Sequence, residues 1–476
     1  MSRYSYLLLL AGILYSNLTQ AQIPDTSRVY TYREFFQQVI NYHPVVQQSD
    51  LIAESARRDL LIARGGLDPS IQGTFDRKVY KNREYFNRSD FFLKVPVWLG
   101  GADLKVGYDR NVGVTLSDDI RTGPEGITYL GLTVPLGQGM LIDYRRATLR
   151  QAVLFQDIAD AERVKAINKI VLTAAKDYWN WYFAYQQYRL IQDFYQLAET
   201  RFQATRQRAL IGDIAAIDTT EALVTLQDRQ VQYSQAVLDL QNARLVLSNH
   251  LWGNQQVPLE LPEDAIPQQT AGRILTDATL NDLLQQARLR HPDLIKFEIK
   301  RQQLRIDERL GREMLKPSVN INASTLYRGL SFNGSETKSG FPYLDENYKF
   351  SVDLYFPLLF RKERGKLQQI RIKQLQNDLE LTQARREVNN EINVAYNEVK
   401  LLEDQILVQQ RAVQNQELLL NAEVRKYNIG ESSLFLVNTR ESKLNELRVK
   451  IESLRTKYEK ALATLLFAAG LADWQQ

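Results

Sequence analysis

The 476-residue chain has no cysteine, only three methionines and three histidines, and no strong excess of either charge. Without Cys there is no disulfide, no thiolate metal site and no lipidated N-terminal Cys. For His43 and His291 no carboxylate or third His stands at ligand spacing, so no metal site is read. His43 and His291, each followed by Pro, read as helix-end residues, and His250 carries no assignment. Three Met argue against a Met-lined path for copper or silver. With 60 Lys+Arg against 56 Asp+Glu, the basic excess of a nucleic-acid footprint is missing. No nucleophile motif, phosphate loop or HExxH occurs, so neither an enzyme nor a cofactor is expected. No apolar run of 18 or more residues exists, so a mature chain that meets a membrane must do so as strands.

What is present begins with a secretory signal. Arg3 gives a basic start, Leu7 to Leu14 an apolar run too short to span a bilayer, and Thr19-Gln-Ala21 small residues for cleavage, which predicts a signal peptide over 1–21. After it the chain is written twice. Thr31-Tyr-Arg-Glu34 is a capping box opening a helix over 31–42, and Thr279-Leu-Asn-Asp282 opens another over 279–290 in a similar way. Each ends at a His–Pro step, His43-Pro44 and His291-Pro292, because Pro disfavours helix for the residue before it. Second helices follow over 44–64 and 292–314 and stop before Pro69 and Pro317. All three landmarks repeat at an offset of 248 residues. This gives two copies of one unit, 30–252 and 279–470, joined by a linker over 253–277 that holds Pro258, Pro262 and Pro267.

Beyond Pro69 and Pro317 the period changes to two, over 68–137 and 317–357. Val319, Ile321 and Ala323 alternate with Asn320, Asn322 and Ser324; Tyr348, Phe350, Val352 and Leu354 alternate with Lys349, Ser351 and Asp353. One apolar and one polar face suit a lipid-facing, water-lined barrel, and with a secretory signal the barrel is favoured over a sheet packed on a soluble core. The first copy carries 26 extra residues here. They include an alternating hairpin, at about 90–112, around Gly100-Gly101. The pattern leaves open whether this hairpin joins the barrel wall or stands outside it.

Long helical patterns follow over 140–211 and 361–429, then shorter return helices over 213–252 and 431–469. Gly212 and Gly430 sit between them, each a residue that tolerates the left-handed turn ending a helix, with Ser432 or Ser433 able to cap the helix after Gly430. Seventy helical residues reach about 105 Å. A return helix plus the helix before the strands matches that length, so each copy reads as one unbroken column and one column in two pieces. The aromatic series from Tyr178 to Tyr195 reads as packing between helices, and the Lys/Glu-rich stretch 361–460 as a solvated face.

Signal, doubled unit, short barrel strands and Gly-tipped hairpins together resemble the TolC family of outer-membrane efflux proteins. The most specific pieces are Tyr427-Asn-Ile-Gly430 followed by Leu434-Phe-Leu-Val437, and Gly212 followed six residues later by Asp218. The resemblance implies a mainly α fold with a β-barrel portion, a duplicated TolC-like fold. It implies a homotrimer in the outer membrane, with a tunnel of twelve helical columns across the periplasm. It also implies docking through the tips onto a periplasmic adaptor protein and an inner-membrane pump of an efflux or type I secretion system. In the family a Tyr three residues before the second tip Gly links to an Asp six residues after the first, closing the periplasmic end. Those positions hold Tyr427 and Asp218. The acidic ring common in the family would fall on Leu436 and Thr439, which cannot supply it, whereas Asp218 and Glu221 stand at the equivalent offsets from the first tip. The alternative is a periplasmic coiled-coil adaptor or tether without a pore.

Overall fold

The computed structural model describes residues 29–269, 276–328 and 347–471; the expected signal peptide lies outside them, as does part of the linker. The element list repeats itself. The first copy contributes α1 (Tyr32–Tyr42), α2 (Pro44–Gly65), strands β2 to β5, α3 (Tyr144–Leu210) and α4 (Ala216–Ser248). The second contributes α5 (Asp277–Arg290), α6 (Pro292–Glu313), strands β7 and β8, α7 (Arg361–Asn428) and α8 (Leu434–Ala468). Short parallel strands β1 (Val29–Tyr30) and β6 (Ile266–Pro267) pin the start of the first copy to the linker.

Local chemistry explains the boundaries. Thr31 Oγ1 accepts the Glu34 amide and Glu34 returns a carboxylate oxygen to the Thr31 amide, both at 3.1 Å. The second copy departs from this expectation: α5 starts at Asp277 with Thr276 as its N-cap, and Thr279 lies inside the helix, its hydroxyl 3.1 Å from that of Thr276. Asp282 is no reciprocal partner because the cap has moved three residues upstream. His43 and His291 end α1 and α5 and also start the next helices, their Nδ1 atoms accepting the amides of Val45 and Asp293 at 3.1 and 3.3 Å. The long helix of the first copy begins at Tyr144 rather than at 140, because Asp143 caps it by accepting the Arg146 amide at 3.0 Å.

The 67-residue α3 and 68-residue α7 each reach about 100 Å. α3 packs against α2 and α4 of its own copy and against α6 and α8 of the other, while α7 packs against α5, α6 and α8. The columns therefore lie in the order α2 with α4, then α3, then α6 with α8, then α7. Two apolar cores hold the helices near the His–Pro steps. One centres on Phe35, Tyr178, Trp181 and Leu247 with Leu261 of the linker; the other on Leu283, Ile392, Val399 and Leu465. Tyr178 also donates its hydroxyl to the Tyr30 carbonyl at 2.8 Å and accepts the Gln268 amide at 3.2 Å. The aromatic series thus fastens chain start and linker to the bundle.

The other six strands form one antiparallel sheet in the order β2 (Ser70–Tyr80), β3 (Arg83–Pro96), β4 (Asp103–Val112), β5 (Ile127–Pro135), β7 (Ser318–Arg328), β8 (Tyr348–Tyr355). The hairpin left unplaced by the sequence lies in the middle of this sheet. One face carries the apolar row Ile71, Leu93, Val106, Leu130, aligned by the pairings across four strands. Ile71 is 81% exposed. The other face carries the row Lys94, Lys105, Gly131, Ser324, Lys349. Such exposure of aligned apolar side chains in water would be costly; in lipid it is the low-energy arrangement.

Candidate functional site

Each hairpin tip is a five-residue break, 211–215 and 429–433, wider than the one or two residues the sequence suggests. Gly212 and Gly430 have φ of 79° and 83° and bond identically. Each donates its amide three residues back, to Ala209 and Tyr427 at 3.1 Å, and the following residues, Asp213 and Glu431, donate five residues back, to Arg208 and Lys426 at 3.0 and 2.9 Å. These paired bonds satisfy carbonyls that a helix end leaves free, and they require the left-handed residue that glycine supplies. Ser433, not Ser432, caps α8 by accepting the Leu436 amide; Ser432 instead donates to Glu423 at 2.5 Å.

Around the tips the named residues fall into two groups. Arg208 pairs with Asp213 at 2.6 Å. The Asp213 carboxylate first, and the nearby Tyr427 hydroxyl after it, raise the Arg208 guanidinium above its ordinary pKa. Tyr427 is half-buried and faces the first tip through Arg208. Asp218, also half-buried, sits in the first turn of α4, where the helix dipole favours a carboxylate. Among the described residues no hydrogen bond joins Tyr427 to Asp218 within one chain. Leu436 is 43% exposed and Thr439 donates to the Phe435 carbonyl at 2.8 Å, so these positions present no charge.

Glu221 belongs to a second group, one to two turns into the return helices. Asn438 of α8 donates to Glu221 at 3.5 Å and to Thr225 at 3.3 Å, and accepts from Arg201 of α3 at 3.0 Å. Arg201 also pairs with Glu441 at 2.6 Å, and the Glu441 side chain is only 2% exposed. Farther along, Arg229 of α4, 5% exposed, donates to Ser442 at 2.6 Å. These bonds tie both hairpins together where the apolar seam of α8 carries Asn438, Glu441 and Asn445 among Leu434, Val437 and Leu444. Sequence reasoning missed Asn438 and Glu441 because 361–460 reads as a solvated charged face, and Arg201 and Arg229 because nothing local to them marks a partner more than 200 residues away. The available signal was the three- and four-residue spacing that puts Asn438 and Glu441 on the leucine stripe. A paired charge there contributes little net stability, but removing one partner strands the other in the seam.

A third cluster lies where the sheet meets the helices. Arg145 of α3 donates to Asp103 at 2.7 Å, to Asp143 at 3.0 Å and to the Gly101 carbonyl at 3.3 Å, and Lys94 pairs with Asp103 at 3.1 Å. Burial pushes the Asp143 carboxyl up, but bonds from Arg146 and Arg145 outweigh it and hold it below the usual carboxylate range. Among the described residues no group of three or more His, Cys, Asp or Glu is placed to hold a metal ion.

The family profile described as outer membrane efflux protein matches residues 104–253 and 283–471. The probable efflux pump outer membrane protein TtgC of Pseudomonas putida is 23% identical over 442 residues, covering 89% of this chain and 80% of that protein. The antibiotic efflux pump outer membrane protein ArpC of the same species matches to the same extent. Among solved structures, the open-state MtrE outer membrane channel of Neisseria gonorrhoeae superposes with a TM-score of 0.65 at 16% identity, covering 92% of this chain and 88% of that one. The CmeC outer membrane channel of Campylobacter jejuni gives 0.62 at 14% identity over 92% and 85%. With its doubled strand-and-hairpin plan and a profile match over more than half its length, the chain belongs to the outer membrane efflux protein family, whose fold is that of the TolC channels.

Proposed function

We propose that this protein is the outer-membrane exit duct of a tripartite efflux or type I secretion system, working as a homotrimer. Its tips would meet a periplasmic adaptor and an inner-membrane pump. The observation that carries the reading is the sheet, apolar on its exposed face and polar on the other, standing on helical columns about 100 Å long. Lipid satisfies the apolar face, and the columns are long enough to cross the space beneath the membrane. A coiled-coil tether accounts for the columns but not for the sheet.

Support for self-assembly comes from the outermost columns. Ile217, Val224, Val231, Leu238 and Leu245 recur every seven residues along α4, and all are exposed, between 48% and 70%. On the opposite outer column Val394, Leu401 and Val408 of α7 repeat the spacing at 57% to 67% exposure. Two heptad stripes on opposite sides of one chain suit a ring in which α4 of each copy lies against α7 of the next. Gating would reside at the tips, with Gly212 and Gly430 setting the turns, Tyr427 and Asp218, unbonded to each other in the chain as it stands, linking the two hairpins when the end closes, and Glu221 lending charge to the closed end.

In outer-membrane fractions the protein should run as a heat-modifiable trimer and, in planar bilayers, give small, mostly closed conductances. Asp218→Ala with Tyr427→Phe should enlarge them. Unchanged conductance in the double variant removes the gate assignment, and no conductance at all removes the channel.

A further inference from the structure

The sheet has a property the duct reading does not require. A strand pair per copy would give four wall strands per protomer, yet this chain has six in one unbroken ladder, β3 and β4 being inserted between β2 and β5. We infer that all six lie in the wall, so that the trimer closes an eighteen-stranded barrel in which β8 of each copy bonds to β2 of the next. This rests on the trimeric duct reading above and goes beyond it.

Three observations place the inserted hairpin in the wall. Its pairing is continuous: β3 matches β2 from Ser70↔Lys94 to Tyr80↔Arg83, with one bulge near Lys78, and β4 matches β5 from Asp103↔Thr133 to Asp109↔Ile127. Its faces are in phase with the other strands. Phe91, Leu93 and Val106 continue the apolar face, and Asp90, Lys105 and Asp109 continue the polar one. A hairpin lying outside the wall would have no reason to keep that phase, since a shift of one residue reverses every side chain. Finally, its inner turn is anchored. Asp103 takes Lys94 and Arg145 at 3.1 and 2.7 Å, and Gly101, at φ 70°, comes so close to the Gly139 carbonyl that a Cβ would stand 2.7 Å from it. The turn is thereby fixed to the first turn of α3, at the level where β5 also leaves the sheet.

The edges identify the partner. Among the described residues β2 and β8 each have a neighbour on one side only, and both are exposed along nearly their whole length. An open edge cannot stand in a bilayer, because no water there bonds its unpaired amides and carbonyls. β2 and β8 run in opposite senses, as the first and last strands of a six-stranded, wholly antiparallel sheet must. A second copy of this chain therefore continues the antiparallel pattern without interruption, and a third closes it. The same sides of the molecule carry the heptad stripes of α4 and α7, so one rotation serves both seams. Eighteen strands enclose an aqueous lumen of porin width, whereas the four-strand alternative gives a twelve-stranded and narrower mouth.

The absence of cysteine makes the test direct. Cysteines would be placed at the lumen-facing positions Gln72, Thr74 or Asp76 of β2 and, in all nine combinations, at Lys349, Ser351 or Asp353 of β8. Neighbouring antiparallel strands bring Cα atoms to about 4.5–5.5 Å, inside disulfide range. At least one combination should, on oxidation in membranes, yield a boiling-resistant species of trimer mass that reductant returns to monomer. Control pairs join Thr74→Cys to Tyr129→Cys or Thr133→Cys of β5. In the six-strand wall these strands are about 14 Å apart and stay unlinked. If the hairpin stands outside, β2 meets β5 and the control pairs link. A β2–β5 link, or no β2–β8 link in any of the nine variants that still form the heat-modifiable trimer, overturns the eighteen-stranded wall and leaves the duct intact. If the unsubstituted protein forms no trimer, the underlying reading fails as well.

Discussion

His43 closes α1 with its own amide and opens α2 by accepting the Val45 amide at its Nδ1. That atom must stay unprotonated to accept. Burial first, and then the nearby His250, lower its pKa from 6.5 to about 4. The unfolded chain therefore takes up a proton below pH 6.5 that the folded chain refuses until about pH 4. Stability is fully present above pH 6.5 and falls across that window, by up to about 1.4 kcal/mol per pH unit for one such group. The helical melting midpoint followed by circular dichroism should drop between pH 7 and 4.5. His43→Asn, which keeps a capping acceptor that does not titrate there, should flatten the profile. His291, whose pKa is lowered chiefly by burial, makes the same contact to Asp293 and should leave a smaller residual slope in that variant.

At the scale of elements, a glycine inside α7 and the glycine just past its end make opposite demands on the same substitution. Gly365 lies inside the helix with nothing within 4 Å of where a Cβ would stand; Gly430 ends the hairpin at φ 83° with equally open surroundings. Space is thus the same, and only backbone conformation differs. Gly365→Ala should stabilise the helical portion by about 1 kcal/mol, and Gly430→Ala should destabilise it by about 1 kcal/mol, read from thermal melts in detergent. Such elements were legible because their signals are local: a Pro after His43, a capping box at Thr31, a glycine at each tip. What escaped depended on distant partners. The cap of α5 lies at Thr276 rather than at the expected Thr279. The inserted hairpin had the alternation of a wall strand, but only the pairing of β3 with β2 and of β4 with β5 gave it a place. At the candidate site the tip glycines could be read directly, while Arg201 and Glu441, far apart in sequence, met only through the packing of α3 against α8.

For the molecule as a whole, stability and assembly are one question, because the single chain leaves a stripe of aliphatic side chains on each outer column. The α4 stripe repeats every seven residues, the period that lets straight helices supercoil around a shared seam. Its residues lie on the side of α4 opposite the buried stripe of Ala222, Arg229 and Ala236, and α4 packs on α3. Charging the outer stripe should therefore spare the fold of the chain and act on the seam. Burying a valine or leucine contributes about 1.5–3 kcal/mol, so Val231→Lys with Leu238→Lys removes several kcal/mol from each seam, three times over in a ring. The variant should keep its helical circular dichroism but lose the heat-modifiable trimer band on unboiled gels. Val231→Ala alone should lower only the temperature at which that band disappears. A trimer that survives both lysines would mean that the α4 stripe faces something other than the next copy, since buried lysines opposite Val394 and Leu401 would have no partner charge on those residues to offset their desolvation.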